Sequence, residues 1–175
     1  MKQASKRQHG YSMVELLTVV SVFGVLTLTS TNLFFSSIVG SSKEAAVREV
    51  KQNGDFAVVQ LESLIRNAKG IASECDGEPR QNIQLINSND ETVEISISDA
   101  GQTGAGLMLG GDELLSSKVS VVPDSMAILC RLDQNSGVVT VRVEFELSRG
   151  RPEIDKAEEI YSESFVATAT LRNKY

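Results

Sequence analysis

The sequence is poor in the residues that most enzyme sites need. Among its 175 residues it has no tryptophan and one histidine, His9, and aromatic residues make up 5%. His9 lies in the first ten residues, so the rest of the chain has no imidazole for a Ser-His-Asp triad or a histidine zinc site. No nucleotide or phosphate fingerprint follows it. We therefore expect no enzyme, no cofactor and no metal site.

Cysteine is also scarce, since Cys75 and Cys130 are the two in the sequence. Their spacing matches no zinc or redox motif, and a CxxC pair is absent. In an oxidising compartment they would form one disulfide that closes a long loop. The alternative is a pair of separate, buried thiols.

Positive charge is concentrated at the start of the chain. The first ten residues contain Lys2, Lys6 and Arg7 and no acid, while the whole chain has a net charge of −6. Without these three cations the net charge would be −9. A body this acidic disfavours general nucleic-acid binding, so we expect no nucleic-acid partner.

A long apolar segment follows the basic start. Residues Met13–Val39 contain one charged side chain, Glu15. As a helix this segment would be roughly 40 Å long, and a bilayer core is about 30 Å thick. The preceding cations predict a cytoplasmic N-terminus and export of the rest. A conventional signal peptide would have a shorter apolar region, of about 7–15 residues; a plain signal anchor is the other alternative.

Glu15 needs an explanation, because a carboxylate within hydrocarbon is costly and usually has a partner. If the chain were cut after Gly10, Tyr11 would become the first residue and would carry a new amine. Glu15 would then be the fifth residue of the mature helix. Its carboxylate could pair with that amine or with the amine of a neighbouring subunit, which would neutralise both charges.

The residues around this position resemble a known signal. The sequence Gly10-Tyr11-Ser12-Met13-Val14-Glu15-Leu16-Leu17 is similar to the class III signal of type IV pilins and pseudopilins, in which a basic leader, Gly, an aromatic residue (usually Phe), Glu and a long apolar run follow in order. In that family a membrane aspartyl peptidase cuts after the Gly and methylates the new N-terminus. The resemblance implies cleavage between Gly10 and Tyr11 and methylation of Tyr11, where this sequence departs from Phe.

The resemblance also implies a function. A member of this family would be a structural subunit, here a minor pilin or pseudopilin, of a type IV pilus, a type II secretion pseudopilus or a DNA-uptake filament. Its partners would be other pilins, the prepilin peptidase, an assembly platform and the bacterial inner membrane. The alternatives are a tip adhesin or a DNA- or ligand-binding pilin, and a plain signal-anchored surface protein. Many major pilins have a proline in the helix; this segment has none, which favours a minor role.

After Gly40 the sequence becomes amphipathic. Apolar residues recur at steps of three and four through residues 43–72, which predicts one helix with an apolar face. A continuous helix from about Ser12 to about Ala72 would have a soft point near Gly40. We expect three parts: a leader at 1–10, a membrane or filament-core helix at 11–40, and an exported head at 41–175.

From residue 81 onward the apolar residues alternate with polar ones, which is the pattern of strands with one buried face. Together with the helix this predicts an α+β pilin fold, in which the amphipathic half-helix packs on an antiparallel sheet. Asp133–Gly137 predicts a hairpin turn, Gly101–Gly111 a flexible loop, and Glu153–Glu163 a solvated loop or short helix. Residues 165–173 also resemble the last strand of J-type pseudopilins and competence-type minor pilins. The predicted strands are 83–86, 92–98, 118–122, 126–132, 138–147 and 165–171.

Overall fold

The structure, a computed structural model, describes residues 11–98, 104–150 and 160–171. Its elements are one long N-terminal helix followed by antiparallel β-sheets, so the predicted α+β, pilin-like arrangement is confirmed. The chain divides into two compact units, one up to Ser41 and the other from Ser42. Each unit is described by itself below.

The helix α1 comprises Met13–Asn67. Within the second unit its buried side chains recur at steps of three and four, as the apolar pattern predicted, and they pack into the core of the sheets. The helix ends at Asn67 rather than near Ala72. Ile71 continues the helical spacing in the sequence, yet Gly70 and Ile71 pair with Ile86 and Leu85 as a short strand. The buried residues of α1 are Ala46, Val50, Gly54, Ala57, Leu61 and Ile65.

Among the described residues, ten strands follow the helix and form two antiparallel sheets. Sheet A has the order β1-β3-β4-β5-β6. Sheet B has the order β10-β9-β8-β2, and β7 also pairs with β9. The strands are β1 Gly70–Ile71, β2 Asp76–Arg80, β3 Ile83–Ile86, β4 Thr92–Ile97, β5 Leu107–Leu109, β6 Asp112–Glu113, β7 Val119–Val121, β8 Ala127–Leu132, β9 Val139–Arg149 and β10 Tyr161–Thr170.

The six predicted strands correspond to β3, β4, β7, β8, β9 and β10, whereas β1, β2, β5 and β6 were missed. The loop predicted at Gly101–Gly111 is wrong over residues 107–109, which form β5 against β4. Leu107 in this strand is fully buried. The flanking glycines predicted a loop, but the short apolar cluster between them forms a strand of the sheet. Residues 101–103 lie outside the described residues. Likewise, Tyr161–Glu163 are the start of β10 rather than a loop or helix, and residues 153–159 lie outside the description.

The predicted hairpin turn connects β8 and β9. The Asp133 N–H donates to the carbonyl of Val138, with N···O 2.9 Å. The Asp133 carboxylate accepts bonds from the Ser136 hydroxyl at 2.7 Å and the Asn135 N–H at 2.9 Å. These bonds, that from Ser136 first, hold the pKa of Asp133 below its usual value. The carboxylate therefore closes the turn, which is the ordinary role of Asp at this place.

A disulfide joins Cys75 and Cys130, with the two Cα atoms 4.9 Å apart. Cys75 directly precedes β2 and Cys130 lies in β8, so the bridge fastens the short edge strand β2 to its neighbour. The 55-residue separation between the two cysteines encloses β3 to β6. Most of sheet A therefore belongs to the loop that this bridge closes.

We expect replacement of both cysteines by serine to lower the free energy of unfolding by about 2–4 kcal/mol, because the open chain gains the entropy of a long loop. Urea unfolding of the full-length protein in detergent measures this. Reduction of the wild-type protein is the matched condition and should give a similar loss. An unchanged urea midpoint in both cases would contradict a stabilising bridge.

Candidate functional site

The candidate site is the start of α1 and the apolar helix that follows it. Tyr11 and Ser12 precede the helix, and the Leu16 N–H donates to the Ser12 carbonyl at 3.2 Å in the first turn. Glu15 lies in that first turn. A carboxylate there is favoured by the free N–H groups and the positive end of the helix dipole. The helix start therefore already suits an acid at position 15.

The apolar side chains of this unit are all exposed. Every residue of 11–40 is exposed, and Tyr11 and Met13 keep 84% and 82% of their free accessibility. Within the described chain, α1 is the helix that is long and apolar enough to cross a membrane, and its most apolar stretch is wholly unburied. A helix that is apolar all round needs other helices or lipid around it. The exposure thus indicates a surface that is covered outside this single chain.

Five hydroxyl groups in this segment are satisfied by the helix itself. Thr18 donates to the Glu15 carbonyl at 2.8 Å, and Thr27 and Thr31 donate to carbonyls four residues earlier. Ser21 and Thr29 do the same. Such bonds satisfy these five donors in an apolar environment. Residues 27–32, which are mostly polar, are helical here, and their three threonines are compatible with a membrane or a helix bundle.

Glu15 differs from these hydroxyls. Across residues 11–98, 104–150 and 160–171, its carboxylate has neither an ion pair nor a side-chain hydrogen bond. The next charged residue along the chain is Lys43. A lone carboxylate on an apolar helix carries the cost of burial unless a cation from elsewhere meets it. Within the described residues the Glu15 carboxylate is therefore a single charge without a counter-ion.

The other predicted site residues lie in different places. Gly10 is outside the described residues, and Tyr11 is exposed at the end of the described chain. Cys75 and Cys130 are brought together in the head. Helix continuity through Gly40 is unbroken, so no helix break lies at the predicted soft point, although the two compact units meet at Ser41 and Ser42.

One charged side chain of the head is partly buried between two cations. Glu49 of α1 is 24% exposed, and its carboxylate pairs with Arg149 at 3.0 Å and Lys118 at 3.4 Å. Arg149 lies in β9, and Lys118 directly precedes β7. Both cations are far from Glu49 in the sequence, so the sequence pattern gave no indication of these contacts. Neighbouring Asn53 supports the same region, because its side-chain oxygen accepts the Ser116 N–H at 2.9 Å.

Comparison with known proteins gives a family match for the N-terminal segment. Residues 5–31 match the prokaryotic N-terminal methylation motif. No curated protein and no solved structure matches the chain. The match includes Lys6, Arg7, Glu15 and more than half of the exposed apolar segment, while the head follows the motif as helix and antiparallel sheets. This motif is the class III signal of type IV pilins, and together with the long apolar helix it indicates a type IV pilin-like prepilin.

Proposed function

We propose that the chain is a structural subunit, a minor pilin or pseudopilin, of a type IV pilus, type II secretion pseudopilus or DNA-uptake filament. The observation that carries the proposal is Glu15, the one charged residue in the fully exposed apolar segment 11–40. Lipid can cover the apolar side chains but cannot neutralise the carboxylate. A neighbouring subunit with a free N-terminal amine can do both.

In this proposal the peptidase cuts between Gly10 and Tyr11 and methylates the Tyr11 amine. Mature copies wait in the inner membrane, with the N-terminus at the cytoplasmic side and the head exported. An assembly platform then draws helices side by side. The Glu15 carboxylate of the entering subunit meets the amine of its neighbour, and this pairing sets the axial register.

A minor role is favoured by the composition of the helix. Residues 11–67 contain no proline, whereas many major pilins have a helix-disturbing proline in this region. The hydroxyl groups at positions 18, 21, 27, 29 and 31 bond to the helix's own backbone. Helix α1 therefore enters a bundle without unwinding to satisfy them. The leader at 1–10, the filament-core helix at 11–40 and the head at 41–175 are the three parts of the subunit.

The test is the identity of the N-terminus. We expect the wild-type chain in native membranes to begin at methylated Tyr11, and Gly10→Ala to accumulate the precursor, ten residues longer, because a side chain at this position blocks the peptidase. Intact-mass spectrometry and gel mobility measure both. Tyr11→Phe, which restores the residue most common in the family, is the control and should be cut normally.

A wild-type chain that still begins at Met1, in a host with an active peptidase, would refute the proposal. In that case the chain would be a plain signal-anchored protein. Normal cleavage of Gly10→Ala would count against the assigned position of the cut, though not against the export of the head.

A further inference from the structure

Strand β10 lies at the end of sheet B. Within the described residues its one strand neighbour is β9, so its other edge is open there. The ten pairs from Tyr161 and Arg149 to Thr170 and Thr140 follow one another without a register shift. A long, regular edge of this kind presents a row of free backbone groups that another strand can use.

One hydrogen bond fixes which residues of β10 face outward. The Leu171 N–H donates to the Val139 carbonyl at 2.9 Å, directly after the last register pair. Hydrogen-bonded and non-bonded pairs alternate strictly in an antiparallel ladder. The odd-numbered residues of β10 therefore direct their N–H and C=O groups toward β9, and the even-numbered residues direct theirs away from the sheet.

The outward row is uncharged and exposed. Its backbone N–H and C=O groups have no hydrogen-bond partner in the part of the chain that the structure describes. The side chains of the same residues are also exposed, and Val166 in the middle keeps 46% of its accessibility. Four of them are Ser or Thr and the fifth is Val, residues that tolerate or favour strands. The row consists of Ser162, Ser164, Val166, Thr168 and Thr170.

The other sheet ends are short or protected. The edge strands β1 and β6 have two residues each. The edge strand β2 contains Pro79 and a register shift, and its Asp76 and Arg80 form an ion pair at 2.7 Å. Short length, proline, bulges and charge are the usual protections against strand addition. The one charged residue of β10 is Glu163. Its backbone groups face β9, and its carboxylate lies 3.8 Å from the Lys51 ammonium group of α1.

We propose that β10 pairs with an extended segment of a second, different pilin-type subunit, which joins sheet B as a further strand. The class of partner rests on the proposed function, since the motif implies assembly with other pilins. Main-chain groups of the even-numbered residues supply the binding, as in other strand additions. The uncharged row selects a partner segment without proline and without a run of charges.

A second copy of this chain fits the edge poorly. Two β10 strands joined edge to edge in antiparallel fashion are related by a two-fold axis perpendicular to the sheet. Helix α1 packs on one face of its own sheet through residues 46–65. The axis would place both helices on the same face and reverse the direction of one. Subunits drawn from one membrane have the same direction, so the occupant is a different subunit.

A short-reach photo-crosslinking residue at position 166 of the full-length chain, in its native host, tests this edge. The matched control is position 142, because Arg142 is exposed on β9 and lies opposite Thr168 in the register, one strand further from the edge. We expect position 166 to give adducts with another protein that has the methylation motif, and position 142 at most about one-tenth as many, since strands lie about 4.8 Å apart. Equal adducts at both positions, adducts with a second copy or with a protein lacking the motif, or no adduct at 166 would overturn the proposal.

A proline variant supplies the second arm, with the crosslinking residue moved to position 168. Val166→Pro removes an outward N–H but none that faces β9, and proline is tolerated on edge strands. We expect its adduct yield to fall at least tenfold, while Val166→Thr keeps the wild-type yield. Wild-type yield from Val166→Pro would overturn the proposal. The N-terminal mass of the same samples separates the two ideas: an uncut chain that still forms the adduct refutes the proposed processing and leaves the edge pairing supported.

Discussion

Glu15→Ala chains should insert into the membrane and be cut like the wild type, yet be at least about a hundredfold depleted from assembled filaments. Removing one partner of a desolvated ion pair leaves the other charge buried and unpaired, which costs about 3–5 kcal/mol. A difference of about 1.4 kcal/mol is a factor of ten in an equilibrium. Quantitative immunoblots of the membrane and filament fractions measure the ratio.

The controls separate charge from size. Glu15→Gln keeps the shape of the side chain without its charge and should fail nearly as badly. Ser21→Ala lies six residues further along the same exposed segment and removes a hydroxyl that, within the described residues, bonds to the Leu17 carbonyl of its own helix. It should assemble normally. Wild-type incorporation of Glu15→Ala would exclude the carboxylate–amine pairing, whatever the fate of the leader.

Gly54→Leu is expected to lower the free energy of unfolding of the head by about 3–5 kcal/mol, at the upper end of what overpacking a core costs. Gly54 is buried in α1, and a Cβ atom added there would overlap the ring of Phe165. That ring is also held by Phe145, on which it stacks with centroids 5.8 Å apart. Urea unfolding of the full-length protein in detergent measures the loss.

The matched control is another glycine of the same helix. A Cβ added at Gly40 meets nothing within 4 Å, so Gly40→Ala should leave the stability unchanged or raise it by up to about 1 kcal/mol through helix propensity. Phe165→Ala should partly rescue Gly54→Leu, because it removes the overlapping ring, and the double-mutant cycle should show coupling. A Gly54→Leu protein that unfolds at the wild-type midpoint would contradict the close helix–sheet contact.

Much of the head could be predicted because its strands have one wet and one dry face. The alternation in 138–147 and in 165–171 located β9 and β10, and the turn residues 133–137 located the hairpin between β8 and β9. The strands that were missed are the ones without such alternation. Strand β2 consists of Asp, Gly, Glu, Pro and Arg, and it is a strand because the disulfide and β8 hold it in place.

The N-terminal site could be predicted from the sequence because its features are local. The cations, Gly10, Glu15 and the apolar run all lie within one short segment of the chain. Transfer from water to lipid depends on the composition of such a segment rather than on distant contacts. The unpaired state of Glu15 within the described chain agrees with the partner being sought outside it.

The sequence alone determined the methylation motif, the single acid on an apolar helix and the helix-then-sheet order, since each follows from residue type and spacing along a short segment. Tertiary structure decided the rest. It brought Glu49 to two cations, placed Gly54 against an aromatic ring and ended α1 at Asn67, before β1. In the described part of the chain it also left β10 with an open edge. These features depend on which distant residues meet, and pairing between segments far apart in the chain is not encoded in the periodicity of either one.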